Sequence, residues 1–432
     1  MQKSMKYSYN TFRLYRSEKQ FSYVIRARLI MKDPVDCRVL EAAVNKTMTR
    51  YPYFAVSVRL EQDGAYVLEH NPAAVAVLEK GTWRPKLGSK EVNRHLLFAE
   101  CTGREIDIYI SHALCGGKGF QPFVMSCIWQ YVADRYSVLP EAPAIRKPGT
   151  ALLPDETAEP TLEMLNSAGE PIFRRQSKKP AILGWDYLNG LYNPFRRKPN
   201  FRLYTFSQKE ILKFAKGNDA SVVSFFLVVA AKALDRVLPE KERVIGGETA
   251  HNPSASLGIP DTHCDLLSHV LIDYEREMLR SWSLEKLGTM TRGQILLQTD
   301  PSVSFAELGR GFETLEALEG ITGLEAKKEY VKKHNPNSGK DAGHGTFILN
   351  YTGRADWGEV ADYMESYALI VEGHMLFEVS SMGDKIFLTQ MQLIDEEKYA
   401  AALQQVLTEL GISFTVEGPF PRQLTKHELP EA

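Results

Sequence analysis

Residues 105–123 read EIDIYISHALCGGKGFQPF and join a strand, a tight loop and a helix. Isoleucine occupies every second position from 106 to 110, which is the period of a β-strand. Hydrophobic side chains then recur from Phe120 to Val132 at the spacing of an amphipathic helix. His112 follows the strand directly, so a fixed backbone carries a side chain that exchanges protons near neutral pH. This segment is the best candidate for chemistry in the chain.

The rest of the sequence divides into two halves, and each half combines long helices with several short strands. A helix is predicted after Asp36, and it ends at Tyr51-Pro52 because the residue before proline avoids the helical region. Prolines accumulate from 140 to 199, where hydrophobic periodicity is lost. Beyond them we predict a buried helix (Ser221–Leu238), four strands (Thr346–Tyr351, Ala368–Glu372, Met375–Ser380, Lys385–Gln390) and a closing helix (399–410).

These patterns predict an α/β (α+β) protein of two similar subdomains. The boundaries we assign are 1–150 for the N-terminal subdomain with the histidine loop, 151–199 for a Pro-rich crossover linker, and 200–432 for the C-terminal subdomain.

Composition excludes several classes of function. The formal net charge of −2 argues against nucleic acid as a partner, because phosphate binding requires a basic surplus. We expect no membrane span, since no apolar run approaches the roughly 20 residues that a bilayer requires. The polar N-terminus predicts no secretory signal. Five widely spaced cysteines without a Cys-x-x-Cys pair predict reduced thiols, no structural zinc site and a cytoplasmic location.

The loop resembles the active-site motif of a known superfamily. Chloramphenicol acetyltransferase, condensation domains, alcohol acetyltransferases and wax-ester synthases carry His-His-x-x-x-Asp-Gly at the end of such a strand. Here the run is Ser111-His112-Ala113-Leu114-Cys115-Gly116-Gly117. His112 matches the second, catalytic histidine and Gly117 the final glycine. Ser111 replaces the first histidine, and Gly116 replaces an aspartate that usually forms a structural salt bridge with an arginine.

Two further segments extend this resemblance. The run from Pro34-Val35-Asp36 to Arg50-Tyr51-Pro52-Tyr53-Phe54 is similar to the family's first helix and its Arg-x-Pro-type exit. The run Asn350-Tyr351-Thr352-Gly353 resembles the Asn-x-x-Gly strand end that faces the active-site tunnel in the alcohol acetyltransferase branch.

The resemblance implies a fold and a mechanism. Two chloramphenicol-acetyltransferase-like subdomains would form a V with a channel between them. An acyl-CoA or acyl-phosphopantetheine co-substrate would meet a small alcohol or amine acceptor there, and an acyl carrier protein is a further partner that this implies. His112 would act as general base, Gly116 and Gly117 would shape its loop, and Asn350, Tyr351, Thr352 and Gly353 would line the tunnel or hold the oxyanion. The family needs no bound cofactor and no metal.

Other interpretations of the same residues stay open. Cys115 could be a nucleophile paired with His112, although a cysteine beside a buried strand is usually an apolar filler. A second group has metal-capable side chains without a zinc-like spacing: His263, Cys264, Asp265 and His269. The run Gly246-Gly247-Glu248-Thr249 is interpreted as a loop between strand and helix that lacks the Lys-Ser/Thr of a phosphate-binding loop.

Basic residues near the linker could bind coenzyme A phosphates or an acidic carrier protein, or could simply be solvated: Arg174, Arg175, Lys178, Lys179, Arg196, Arg197 and Lys198. Because Gly116 occupies the position of the motif's aspartate, a rival interpretation is a degenerate condensation-fold protein that binds a ligand or partner without turnover.

Overall fold

A computed structural model describes residues 9–16, 22–81, 83–173, 192–240, 243–334 and 345–431. Within them, no helix combines the length and apolarity that crossing a bilayer would require. The part up to residue 173 forms β1 (Val24–Met31), α1 (Cys37–Met48), β2 (Val56–Leu60), β3 (Tyr66–His70), β4 (Val77–Glu79), β5 (Leu97–Thr102), β6 (Glu105–Ser111), α2 (Gly117–Tyr136) and α3 (Leu162–Asn166).

The part from residue 192 onward is longer and richer in helix. Its elements are β7 (Asn200–Ser207), α4 (Gln208–Gly217), α5 (Val222–Val237), β8 (Val244–His251), β9 (Ser268–Glu275), α6 (Arg276–Ser281), α7 (Leu284–Gln298), α8 (Pro301–Glu319), α9 (Leu324–Lys333), β10 (Phe347–Tyr351), β11 (Met364–Ile370), β12 (Leu376–Met382), β13 (Lys385–Gln392), α10 (Glu397–Glu409) and β14 (Thr415–Pro421).

Two large sheets organise most of these elements, and β2 pairs with β3 in a separate two-stranded sheet. The five-stranded sheet has the order β11-β1-β6-β5-β4, and the seven-stranded sheet has the order β14-β7-β13-β12-β10-β8-β9. The strand β6, which leads to His112, lies at the centre of the first sheet and pairs antiparallel with β1 and β5. Hydrophobic residues of α1 and α2 pack with that sheet in one core, while α5 and α10 pack with the second.

The predicted elements are mostly confirmed, with informative corrections. The buried helix α5 is capped by Ser221 and is apolar almost all round, as expected. The strand expected at Ala368–Glu372 begins earlier, at Met364, and pairs with β1 in the first sheet. Gly246 and Gly247 were expected in a loop, and this prediction is wrong. Both residues lie inside β8, where they pair antiparallel with β9.

The expectation of five reduced thiols is wrong at two positions. Cys37, at the start of α1, forms a disulfide with Cys101 of β5, across a sequence separation of 64 residues. The remaining cysteines are free and buried: Cys115, Cys127 and Cys264. The cytoplasmic location stays a prediction.

The basic stretch near the linker is only partly within the described residues. Arg174, Arg175, Lys178 and Lys179 lie outside them. Arg196 forms an ion pair with Glu396 at 2.7 Å, and Arg197 pairs with Glu372 at 3.2 Å. These two arginines therefore form ion pairs within the folded chain and are not simply solvated.

Both faces of β6 are buried, including the one that carries its polar side chains. Asp107 accepts hydrogen bonds from Arg26 Nε at 2.7 Å and Lys80 Nζ at 2.8 Å. Burial raises the pKa of Asp107, but Arg26 and Lys80 outweigh it and hold the pKa below its usual range. The ion pair lets a strand with charged residues lie in the middle of a sheet.

Asp107→Ala should therefore destabilise the protein strongly. It would leave Arg26, whose side chain is 1% exposed, without its closest counter-ion. Removing one partner of a buried pair costs about 3–5 kcal/mol, and chemical denaturation should show this loss. The control is Glu105→Ala on the same strand, at a carboxylate that is 27% exposed, where we expect about 1 kcal/mol or less. Equal losses in both variants would contradict a special role for the buried pair.

Candidate active site

His112 lies immediately after β6, at the start of the turn that leads into α2. Its backbone N–H donates to the carbonyl of Tyr23 at 2.7 Å, which fixes the chain just before β1 against the end of β6. The side chain remains 22% exposed, so solvent or a substrate can reach it. A rigid backbone with a partly open imidazole is the arrangement that a general base needs.

Two charged residues face one nitrogen of this imidazole. Asp265 Oδ2 lies 3.2 Å from His112 Nδ1, and the Asp265 side chain is only 1% exposed. Arg13 Nη1 contacts both Nδ1 and the Asp265 carboxylate, and it donates to the His112 carbonyl at 3.2 Å. Residues from the N-terminus, the motif loop and the second half of the chain therefore meet at Nδ1.

These surroundings shift the protonation of His112. Burial, and then the positive charge of Arg13, lower the pKa of His112 from 6.5 to about 4. The negative charge of Asp265 acts in the opposite direction, as do backbone hydrogen bonds at residues 112 and 115. His112 is consequently neutral at pH 7, the form that can accept a proton.

Two glycines at the beginning of α2, Gly116 and Gly119, make room for a loop from the second half of the chain. A Cβ atom on Gly116 would lie 2.0 Å from Asp265 Oδ1, and one on Gly119 would lie 2.5 Å from the carbonyl oxygen of His263. The backbone of Gly116 has φ −90°, which any residue adopts, so space is the constraint there. Gly116 was expected to shape the loop of His112, and the structure adds this close packing against residues 263–265.

The same loop is held in place by the predicted linker. The His263 N–H donates to the carbonyl of Glu156 at 3.0 Å, and His263 Nδ1 lies 2.8 Å from the same oxygen. The Glu156 carboxylate accepts two hydrogen bonds from Arg50, at 2.9 and 2.8 Å, and one from the Tyr53 hydroxyl at 2.6 Å. The Arg-x-Pro-type exit of α1 thus supports the loop that carries Asp265.

Two other motif residues have structural partners. Ser111 is fully buried, and its hydroxyl lies 2.7 Å from Nε2 of His427 near the C-terminus. Cys115 is fully buried as well, and burial raises the pKa of its thiol well above the ordinary value. Because the thiolate is the reactive form, this environment argues against Cys115 as a nucleophile.

The run 350–353 reaches the motif through one residue. The Thr352 hydroxyl donates to Oε1 of Gln121 on α2 at 2.7 Å, and a Cβ on Gly117 would lie 2.8 Å from Thr352 Cγ2. The Asn350 amide instead donates to Glu378 at 2.8 Å, across the pairing of β10 with β12. Thr352 is therefore placed beside the first turn of α2.

The other members of this run differ in their surroundings. Burial raises the pKa of the Tyr351 phenol, while a hydrogen bond with Ser381 lowers it. Gly353 has φ +90°, a conformation that favours glycine.

The metal-capable side chains do not form a common centre. His263 is bound to Glu156, whereas His269 Nδ1 pairs with Glu248 at 2.7 Å. Burial lowers the pKa of His269, but the bond to Glu248 outweighs it and the pKa rises to about 8. Within the described ranges, no group of three or more His, Cys, Asp or Glu side chains could hold a metal ion. The sequence placed Asp265 in this group and did not predict its contact with His112.

Comparison with known proteins shows the fold. No family model matches the chain, and no curated protein matches it in sequence. The structure is similar to polyketide synthase associated protein 5 from Mycobacterium tuberculosis (TM-score 0.58, 15% identity, 94% of this chain and 96% of that one). It is also similar to F. graminearum TRI101 complexed with coenzyme A and T-2 mycotoxin (0.54, 11%, 93% and 98%).

A third similar structure is the first condensation domain of the CDA synthetase (TM-score 0.55, 12% identity, 93% of each chain). The chain therefore has the chloramphenicol-acetyltransferase-like condensation fold over almost its whole length. The resemblance read from the histidine motif is confirmed at the level of the fold.

Replacing Arg13 with glutamine should raise the pKa of His112. Removing the positive charge beside Nδ1 makes protonation easier, so the pKa should move from about 4 toward 6.5, while burial keeps it below 6.5. NMR titration of ring-labelled histidine would measure this. His427 is an internal control, because burial also lowers its pKa to about 4. A His112 pKa that does not change, or that moves together with His427, would contradict the assignment.

Proposed function

We propose that this protein is an acyltransferase that moves an acyl group from a thioester to the hydroxyl or amine of a small acceptor. The observation that supports it is the His112 imidazole, which is partly open and has Nδ1 engaged by Arg13 and Asp265. In the tautomer with Nδ1–H directed at Asp265, Nε2 is the nitrogen that takes the proton of the acceptor. The fold adds support, since F. graminearum TRI101 has been solved with coenzyme A bound.

The reaction needs proton transfer in both directions at His112. Nε2 removes the proton of the acceptor O–H or N–H as that atom attacks the thioester carbonyl carbon. The tetrahedral intermediate then collapses, the C–S bond breaks, and the imidazolium returns the proton to the departing thiolate. One C–O or C–N bond replaces one C–S bond, and the free thiol leaves.

The oxyanion of the tetrahedral intermediate needs hydrogen-bond donors. We assign Thr352 as the first candidate of its run, because its hydroxyl lies beside the first turn of α2, where it would exchange its hydrogen bond to Gln121 for one to the oxyanion. Asn350 is the second candidate, since its amide nitrogen keeps one N–H besides the one that it donates to Glu378. The donor is an acyl-CoA or an acyl group on a carrier-bound phosphopantetheine, because both present the same thioester.

Thiol release tests this function. Acyl-CoA donors of graded chain length should be combined with small alcohols and amines, and carrier-bound donors should form a separate arm. His112→Ala should lower turnover by about 100-fold or more, which is the typical contribution of a general base. His334→Ala is the matched control, because that histidine is exposed at the end of α9 and should leave turnover unchanged.

Equal release from wild type and His112→Ala would contradict the role of His112. No release above background from any donor would favour the rival function, in which the fold binds a ligand without turnover. Calorimetry that shows binding of an acyl-CoA donor to both wild type and His112→Ala would then support that alternative.

The pH profile should carry the signature of the depressed pKa. A base works in its neutral form, so its activity is lost as the pH falls through its pKa. With a hydroxyl acceptor, which does not titrate in this range, and the His112 pKa at about 4, kcat/KM should stay flat between about pH 8 and pH 5 and fall only below that. Circular dichroism at each pH would separate this limb from acid unfolding. An acid limb near pH 6.5 would contradict the environment described for His112.

A further inference from the structure

Asp265 occupies the space in which the motif aspartate would lie. A Cβ atom built on Gly116 would be 2.0 Å from Asp265 Oδ1 and 2.7 Å from Asp265 Cγ. An aspartate at 116 and the present aspartate at 265 therefore cannot coexist in this conformation. The acid that the motif lacks in sequence is present in space, on a loop between β8 and β9.

We propose that Asp265 is the positioning residue for His112 and that Gly116 is glycine in order to admit it. This rests on the proposed function, in which His112 is the general base. The Asp265 carboxylate takes the place of the acid of the motif, although it comes from a different part of the chain. It lies directly beside Nδ1 of the imidazole.

The contacts of Asp265 make it rigid enough for this role. Its side chain is 1% exposed, and its Oδ2 lies 3.2 Å from His112 Nδ1. Its backbone N–H donates to Asn10 Oδ1 at 3.1 Å, and the amide of Asn10 donates to the carbonyl of Leu114 at 3.4 Å. Asn10 thus connects the loop of Asp265 to the loop of His112.

The carboxylate selects the tautomer that catalysis needs. When Nδ1–H donates to Asp265, the free electron pair is on Nε2, and the buried charge stabilises the imidazolium that forms during the reaction. Arg13 reaches the same nitrogen as a donor and favours the opposite tautomer, with the proton on Nε2. Asp265 pairs with Arg13 and competes with it for Nδ1, so its removal would leave the arginine as the charged partner of this nitrogen.

Moving the carboxylate between positions 265 and 116 tests this assignment. Asp265→Ala removes the acid. Gly116→Asp with Asp265→Ala moves it to the position of the motif, where the two Cβ atoms would lie 3.2 Å apart and need only a small adjustment. Gly116→Ala with Asp265→Ala is the matched control, because it has the same backbone atoms and Cβ atoms but no carboxylate. Gly116→Asp alone would force two carboxylates into one space.

Activity should follow the carboxylate. Asp265→Ala should lose about 100-fold in kcat, the scale expected when a catalytic group is misplaced. Gly116→Asp with Asp265→Ala should recover to within about 10-fold of wild type, while the matched control with two alanines stays at the level of Asp265→Ala. Gly116→Asp alone, although it restores the aspartate of the family motif, should lose activity and melt at a lower temperature. Thermal unfolding of every variant separates misfolding from mispositioning.

A second readout does not depend on turnover. Nitrogen chemical shifts of ring-labelled histidine report which nitrogen of His112 carries the proton, with assignment by loss of the signals in His112→Gln. We expect Nδ1–H in wild type and in the variant with the relocated acid, and Nε2–H in Asp265→Ala and the two-alanine control. An unchanged tautomer in a folded Asp265→Ala would overturn the proposal, whatever the activity.

Two further outcomes are distinguishable. If wild type shows no acyl transfer but the tautomer switches as expected, the positioning role of Asp265 stands and the proposed function fails. If Arg13→Gln with Asp265→Ala regains wild-type turnover, Asp265 acts only by neutralising Arg13, and the positioning role is overturned. We expect this last variant to remain about 100-fold slower than wild type, since Nδ1 still lacks its acceptor.

Discussion

The geometry of the site depends on the hydrogen bonds that the buried carboxylate of Glu156 accepts. It accepts hydrogen bonds from both terminal nitrogens of Arg50, from the Tyr53 hydroxyl and from the backbone N–H of Leu153. Burial raises its pKa, but these bonds outweigh burial and lower the pKa to about 2. The same residue receives the N–H of His263 through its backbone carbonyl. One residue of the predicted linker thereby joins the exit of α1 to the loop that carries Asp265.

Packing at the first turn of α2 completes this connection. Gly116 and Gly119 are three positions apart and therefore lie on the same side of the helix, where the absence of side chains leaves a groove. The loop 263–265 fills that groove closely, so its position is determined by contact with backbone on one side and by Glu156 on the other. The orientation of His112 is thus a property of tertiary packing, and its own loop is only one contributor.

Local patterns of the sequence predicted those parts of the fold that depend on neighbouring residues. The isoleucine period predicted β6 and the apolar run predicted α5, because each feature is decided by local spacing. The fold was implied by the resemblance of the 111–117 run to the motif of a known family. The sequence did not predict that β11 pairs with β1, that Cys37 bonds to Cys101, or that the polar face of β6 is buried by Arg26 and Lys80. Each of these depends on a partner far away in the chain, and spacing carries no information about such a partner.

In the candidate site, too, residues in local motifs could be predicted and contacts with distant parts of the chain could not. His112 and Thr352 were predicted from motifs, and the structure brings both to the beginning of α2. Asp265 was noticed only as a metal-capable side chain, although Gly116 offered an indirect signal: a missing acid at a motif position can indicate that another acid fills the same space. A carboxylate acts through its distance to the imidazole, whichever element carries it. A motif that appears incomplete along the chain can therefore be complete in three dimensions, and here its completion requires that the loop between β8 and β9 is docked against α2.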